Sequence, residues 1–150
     1  MSSTDWLEKT IVIQASRARV WRALTDSKEF GIWFMVELEG PFEEGQSVSG
    51  RLTLPKYNNL TLTMVVDQLR AEEYFSYRWH PNAGDPEVDY SKEPMTLVEF
   101  HLEDIPEGTR LTVRESGFDQ IPVERRNEAL RMNNYGWEVQ LKNIQRHVDD

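Results

Sequence analysis

The 150-residue chain sets 17 Lys and Arg against 26 Asp and Glu, a formal net charge of −9, which argues against a phosphate-backbone partner and against anionic membrane surfaces. It contains no cysteine, so disulfides, thiolate catalysis and Cys-ligated zinc are excluded. Its length and its balance of 39% hydrophobic to 29% charged residues suit one globular domain over residues 1–150, built on a single core.

The N-terminal MSSTDWLEKT has neither a basic region nor an apolar run, which reads against a signal peptide. No stretch approaches the ~20 apolar residues of a membrane span. A cytoplasmic location is therefore the expectation. The NLT triplet at Asn59 matches a glycosylation acceptor, a match without meaning unless the chain is secreted.

LEKTIVIQA, residues 7–15, is rich in β-branched side chains and predicts a strand. Ser16 is placed to cap a short helix, RARVWRALTD, with Val20, Trp21 and Leu24 on one side. DSKEFGIWF predicts a second short helix, capped by Asp26 or Ser27, with Gly31 at its fraying end. GPFEEGQ, residues 40–46, is a turn cluster. Val48, Gly50, Leu52 and Leu54 alternate with polar residues, as do Leu60, Leu62, Met64 and Val66, so two strands are expected. PKYNN between them predicts a hairpin turn, because Asn tolerates positive φ.

Phe75, Tyr77 and Trp79 alternate to give an aromatic strand face, and a polar loop over residues 80–94 follows. Asp85, Glu87, Asp89 and Glu93 in that loop do not have the spacing of a calcium-binding loop, and a solvated acidic loop is expected. Val98, Phe100 and Leu102 mark the next strand, IPEGT turns the chain, and Leu111, Val113 and Glu115 alternate after it. Pro122 suits the first turn of a long helix running to about His147. At 1.5 Å per residue, its about 26 residues would span roughly 39 Å. Strands in meander spacing make an antiparallel sheet whose apolar face needs a cover, and the long helix is the natural one.

This order of elements resembles the helix-grip fold of the START and birch-pollen-allergen-like (SRPBCC) superfamily. Within it, the chain is most similar to the domain family named after the activator of heat-shock protein 90 ATPase. The carriers are ASRARVWRALTD, FGIWF, GPFEEG, FSYRW, TLVEFHL, GTRLTVRESGF and GWEVQLKNI, which are specific by their order and spacing rather than singly. The resemblance implies an α+β fold: a curved antiparallel sheet wrapped around a long C-terminal helix, with two short helices after the first strand and an elongated cavity between sheet and long helix. It implies binding of a small hydrophobic molecule or lipid, whereas some superfamily relatives are enzymes such as polyketide cyclases, and the activator domain contacts a chaperone. A chaperone partner is the weaker expectation, since one domain leaves no room for the additional N-terminal domain of the eukaryotic activators. Fold alone does not assign function.

Val123, Leu130, Trp137, Leu141, Ile144 and Val148 recur at helical spacing in the long helix, with Asn127 and Asn134 on the same stripe. A buried amide needs partners, so Asn134 either lines a hydrated cavity or its mouth, or bonds locally. In many members of the resembled family a His stands three residues before the Gly-Trp pair. Here that position is Asn133, and any proton-transfer role there is lost. Gly136 beside Trp137 costs the helix roughly 1 kcal/mol relative to Ala, and close approach of the sheet or the short helices to the missing Cβ is the expected reason.

The aromatic residues Trp21, Trp33, Phe34, Phe75, Tyr77, Trp79, Phe100 and Trp137 read either as core or as cavity lining. Glu115 shares the face of Leu111 and Val113. It is either a general base with a raised pKa or a structural carboxylate near a strand end. His80, His101 and His147 are scattered without metal-ligand spacing, so neither metal nor cofactor is expected. Neither a nucleophile elbow nor a glycine-rich phosphate cradle is present.

The resulting expectation is non-enzymatic binding of a small hydrophobic or aromatic ligand between sheet and C-terminal helix. Trp33, Phe75, Tyr77, Trp79, Phe100, Glu115, Asn134 and Trp137 are its candidate site. A cyclase or hydrolase using Glu115 or Tyr77 in the same cavity, and a chaperone ATPase co-regulator, are the alternatives.

Overall fold

The structure, a computed structural model, describes residues 5–81 and 89–149. Seven antiparallel strands form one sheet: β1 (Trp6–Ile13), β2 (Val36–Leu38), β3 (Ser47–Leu52), β4 (Thr61–Arg70), β5 (Tyr74–Trp79), β6 (Thr96–Ile105) and β7 (Gly108–Ser116). The helices are α1 (Arg17–Thr25), α2 (Ser27–Phe34) and the 27-residue α3 (Val123–Asp149). Strand order is β1-β7-β6-β5-β4-β3-β2, so a meander from β2 to β7 is completed by β1 on the outer edge of β7. The sequence expectation of a helix-grip α+β fold holds: α3 packs on β1, α1 and α2 and covers the inner face of the sheet.

Local chemistry explains the helix boundaries. The Ser16 side chain accepts from Arg19 N, and Asp26 accepts from Lys28 N and Glu29 N. Asp26 also donates its own backbone N–H to Arg22 O, closing α1 as it opens α2. Gly31 is not a fraying end. It lies inside α2, and a Cβ there would collide with the Val36 carbonyl oxygen. The helix stops four residues later at Met35, in the left-handed region at φ 68°. Glycine lets the chain double back from α2 into β2 in contact with its own helix.

Other expectations change in detail. Leu54 is exposed and lies beyond β3. The stretch after it is a one-turn 3-10 helix, Pro55–Tyr57, and Asn58 has φ −68°, so positive φ at asparagine is not what turns this hairpin. The three-residue β2 carried too little pattern to be predicted. In α3, Val123 and Asn127 are exposed, and Ala129 is buried where the stripe pointed to Leu130, which is half-buried. Asp85 and Glu87 of the acidic loop lie outside the described residues.

Phe75, Tyr77, Phe100, Leu111 and Val113 project from the inner face of the sheet and are fully buried. Against them pack Phe30 of α2 and the second half of α3, where Trp137, Leu141, Ile144 and Val148 repeat at steps of three and four. The first half of α3 is anchored differently. Arg125 reaches the Glu93 carboxylate with Nη2 at 2.6 Å and Nε at 2.9 Å, and donates from Nη2 to Pro81 O at 3.0 Å.

Candidate functional site

Glu115 is the last inward residue of β7 before the strand ends. Register sets it between Leu7 of β1 and Val98 of β6, and the alternation Leu111, Val113, Glu115 turns its side chain into the core. It is fully buried. Four donors converge on its two oxygens. Trp137 Nε1 donates to Oε1 at 2.9 Å, Trp79 Nε1 to Oε2 at 2.8 Å, and Thr96 Oγ1 to Oε2 at 2.6 Å. Asn133 Nδ2 reaches both oxygens, at 3.0 and 3.2 Å.

All four partners are neutral, and no Lys, Arg or His among the described residues forms an ion pair with Glu115. Burial pushes its carboxyl above the usual range, and the hydrogen bonds from Thr96, Trp79, Trp137 and Asn133 pull part of the way back. Tyr77 stands beside this centre on β5. Its hydroxyl is buried and, among the described residues, has no hydrogen-bond partner. Burial first, and the charge of Glu115 second, hold that phenol well above its ordinary pKa.

A cavity of about 860 Å³ opens on the other side of this network. One wall is the β3–β4 hairpin, through Leu52, Tyr57, Leu60 and Leu62, and another is the end of α2 at Phe34. Trp79, His80 and Tyr90 also line it. Helix α3 contributes Arg125, Glu128, Asn133, Gly136, Trp137 and Gln140, most of them three to five residues apart along the helix, with Gly136 and Trp137 adjacent. Trp79, Trp137 and Asn133 belong to both systems. Each lines the cavity and also donates to Glu115, so the carboxylate holds the cavity wall in place from behind.

The predicted site residues divide accordingly. Trp79 and Trp137 line the cavity. Phe75, Tyr77 and Phe100 are core residues packed ring to ring, with centroids 5.6 Å apart for Phe75–Tyr77 and 6.1 Å for Phe75–Phe100. Trp33 is buried 4.5 Å from Phe30, and its Nε1 donates to Ala23 O at 2.8 Å, pinning α2 to α1. None of these four, nor Glu115, is among the residues that line the cavity.

The amide at the wall belongs to Asn133 instead of Asn134, which is half-buried and does not line the cavity. Both lie one helical turn before Trp137, at four and three residues, so spacing alone does not choose between them. The partner does: only Asn133 reaches Glu115. Thr96 was also missed, although it sits in register with Val98 and Phe100 on the inward face of β6 and could have been read from that alternation.

The expected reason for Gly136 is overturned. Among the described residues, nothing outside the helix backbone and its chain neighbours comes within 4 Å of a Cβ built there. The glycine borders open cavity, so its effect is to leave space.

The remaining histidines are tied to structure. His80 Nε2 pairs with Glu93 O at 3.0 Å, His101 stacks on Tyr74 at 4.9 Å, and His147 Nε2 meets Glu29 Oε1 at 2.8 Å. No cluster of three His, Asp or Glu able to hold a metal ion occurs among the described residues. No helix among them is long and apolar enough to cross a membrane.

Residues 14–149 match the family described as Activator of Hsp90 ATPase homolog 1-like protein. Protein MLL2253 from Mesorhizobium loti is similar over 96% of both chains at 21% identity, with a TM-score of 0.76. The Aha1 dimer from Colwellia psychrerythraea is similar over 93% of this chain and 92% of its own, at 18% identity and a TM-score of 0.71. DynU16, whose structure is described as a putative protein in the dynemicin biosynthetic locus, is 20% identical; the match covers 97% of this chain but 47% of that one, with a TM-score of 0.72. At these identities the likeness is one of fold. No curated protein matches the chain.

Proposed function

The chain belongs to the Activator of Hsp90 ATPase homolog 1-like family, and from that premise we propose that it is a non-enzymatic binder of a small hydrophobic or aromatic molecule, held in the cavity between the β3–β4 hairpin and α3. The observation that carries this reading is the cavity itself. Its volume of about 860 Å³ falls within the roughly 300–1,000 Å³ of small-molecule sites. Phe34, Leu52, Leu60, Leu62, Trp79 and Trp137 supply apolar surface, and Asn133, Gln140 and His80 supply a few polar groups for orientation. Each 100 Å² of apolar ligand surface removed from water would contribute about 2.5 kcal/mol.

A catalytic role draws less support. Glu115 and Tyr77, the groups an acid–base mechanism would use, stand behind the wall, and the Glu115 oxygens are occupied by four donors. A general base must come within hydrogen-bond reach of its substrate.

The test is a thermal-shift and tryptophan-fluorescence titration with a panel of aromatic and alkyl ligands. Trp79 and Trp137 border the cavity, so an occupant should change their emission and raise Tm together. If no member of the panel does either, cavity binding is wrong.

A further inference from the structure

Two of the polar side chains that line the cavity are amides, Asn133 and Gln140. A primary amide shows a ligand either an acceptor or a pair of donors, depending on which way it is turned. For both residues a neighbour of one-sided chemistry decides the orientation.

For Asn133 the neighbour is Glu115. Each Glu115 oxygen already accepts from an indole, Oε1 from Trp137 and Oε2 from Trp79, and an indole N–H can only donate. The carboxylate edge that faces Asn133 is therefore one of acceptors. Asn133 meets it with Nδ2, at 3.0 and 3.2 Å from the two oxygens. The amide is planar, so Oδ1 is turned away from Glu115. Oδ1 has no hydrogen-bond partner among the described residues, yet it is not sealed from solvent as the Tyr77 hydroxyl is. Asn133 is half-buried and lines the cavity, so its oxygen opens onto that space.

Gln140 is turned the other way. Arg146 Nη2 donates to Asn143 Oδ1 at 2.5 Å, and Asn143 Nδ2 donates to Gln140 Oε1 at 3.1 Å. A guanidinium has only donors, so this chain runs in one direction and leaves the Gln140 Nε2 hydrogens to the cavity. Of the two amides, Asn133 alone offers an oxygen. An occupant that covers that oxygen displaces its water, and without a donor of its own it leaves the acceptor unpaired.

We propose that the cavity selects a ligand whose apolar body carries a hydroxyl set against Asn133 Oδ1, a phenol or alcohol in preference to the matching ether or carboxylate. The inference rests on the cavity being a binding site. It adds the polar group by which that site tells one apolar ligand from another, and it makes Asn133 the residue that sets this specificity.

The experiment compares 4-propylphenol, 4-propylanisole and 4-propylbenzoate by calorimetric titration of the whole chain. The phenol is expected to bind about fivefold tighter than the anisole, the scale of one neutral hydrogen bond net of its solvation, and the benzoate weakest. In Asn133→Leu the phenol-to-anisole ratio should fall to about one, because the acceptor is gone. A purely structural role for Asn133 would weaken both probes alike and keep the ratio. Glu115→Gln places an N–H2 where an oxygen stood, which lets Asn133 turn its oxygen inward. The ratio should fall there too, and this variant serves if Asn133→Leu does not fold. Anisole or benzoate binding to wild type as tightly as the phenol, or a ratio unchanged in the folded variant, overturns the hydroxyl inference and leaves the cavity reading standing. Binding by none of the three overturns both.

Discussion

At the scale of single residues, Glu115 decides most about the site. Truncating it to Ala would strand Trp79, Trp137, Thr96 and Asn133, whose donors now converge on it. Each stranded buried donor costs about 1–3 kcal/mol, so urea denaturation should report a loss of several kcal/mol. A loss under about 1 kcal/mol would mean that water takes over the donors and that the network is not structural.

The same residue has a pH signature. Its folded pKa lies above the unfolded value of 4.5. Its contribution to stability is therefore complete below pH 4.5 and declines as pH rises through the folded pKa. Relative to Glu115→Gln, the wild type should lose ground as pH is raised from 4.5, readable as a shrinking difference in Tm. A difference that grows with pH would reverse the sign assigned to the burial.

Two glycines make opposite predictions. Gly136→Ala meets nothing within 4 Å and should stabilise α3 by up to about 1 kcal/mol. Gly31→Ala drives a methyl into the Val36 carbonyl and should destabilise. The explanation of both positions fails if denaturation midpoints move the other way.

At the scale of elements, Glu29 joins three helices. From α2 it accepts from Arg19 and Arg22 of α1, both at 2.8 Å, and meets His147 of α3 at 2.8 Å. Burial raises its pKa, but the hydrogen bonds from His147 and Arg19 with the charge of Arg19, and the further bond from Arg22, outweigh that and hold the carboxyl below its usual range. A depressed pKa contributes stability that is present above pH 4.5 and is lost as pH falls through the folded pKa. The Tm advantage of wild type over Glu29→Gln should therefore be full at pH 6 and should shrink on acidification below 4.5. An advantage independent of pH across that window would show that the tie acts by packing alone.

The two halves of α3 behave as different elements. From Trp137 onward the helix is bound into the core, as the apolar spacing of Leu141, Ile144 and Val148 indicates. Before it, Arg125 and Asn133 fasten the helix through polar contacts, and a space remains between it and β4.

At the scale of the whole molecule, that space lies between the β3–β4 hairpin, the end of α2 and the first half of α3. The sheet meets α3 at β1 along the second half of the helix, where Lys9 pairs with Glu138 and Gln145 donates to Val12 O, and the cavity separates the β3–β4 hairpin from the first half. Gly136 borders the resulting volume, so a large side chain there would intrude on the ligand more than on the fold. Gly136→Leu should weaken binding at least about tenfold, the worth of roughly 1.4 kcal/mol, while leaving Tm close to that of Gly136→Ala. Undiminished affinity in that variant would place the ligand elsewhere.

Residue order by itself determined the fold. Strand alternation at Phe75, Tyr77 and Trp79 and helical spacing from Trp137 to Val148 are local periodicities. Their order along 150 residues leaves few arrangements that bury both faces. Local capping was legible for the same reason, since Ser16 and Asp26 act on backbone amides two or three residues away. Tertiary structure alone decided which aromatic residues are wall and which are core. Phe75, Tyr77 and Trp79 share one strand face, yet only Trp79 reaches the cavity, because the rings of Phe42 and Phe30 pack over Phe75 and Tyr77. It also chose Asn133 over Asn134 and assembled four donors from β5, β6 and α3 around one carboxylate of β7. Those partners lie 18 to 36 residues from Glu115, and no local period encodes a convergence over such separations.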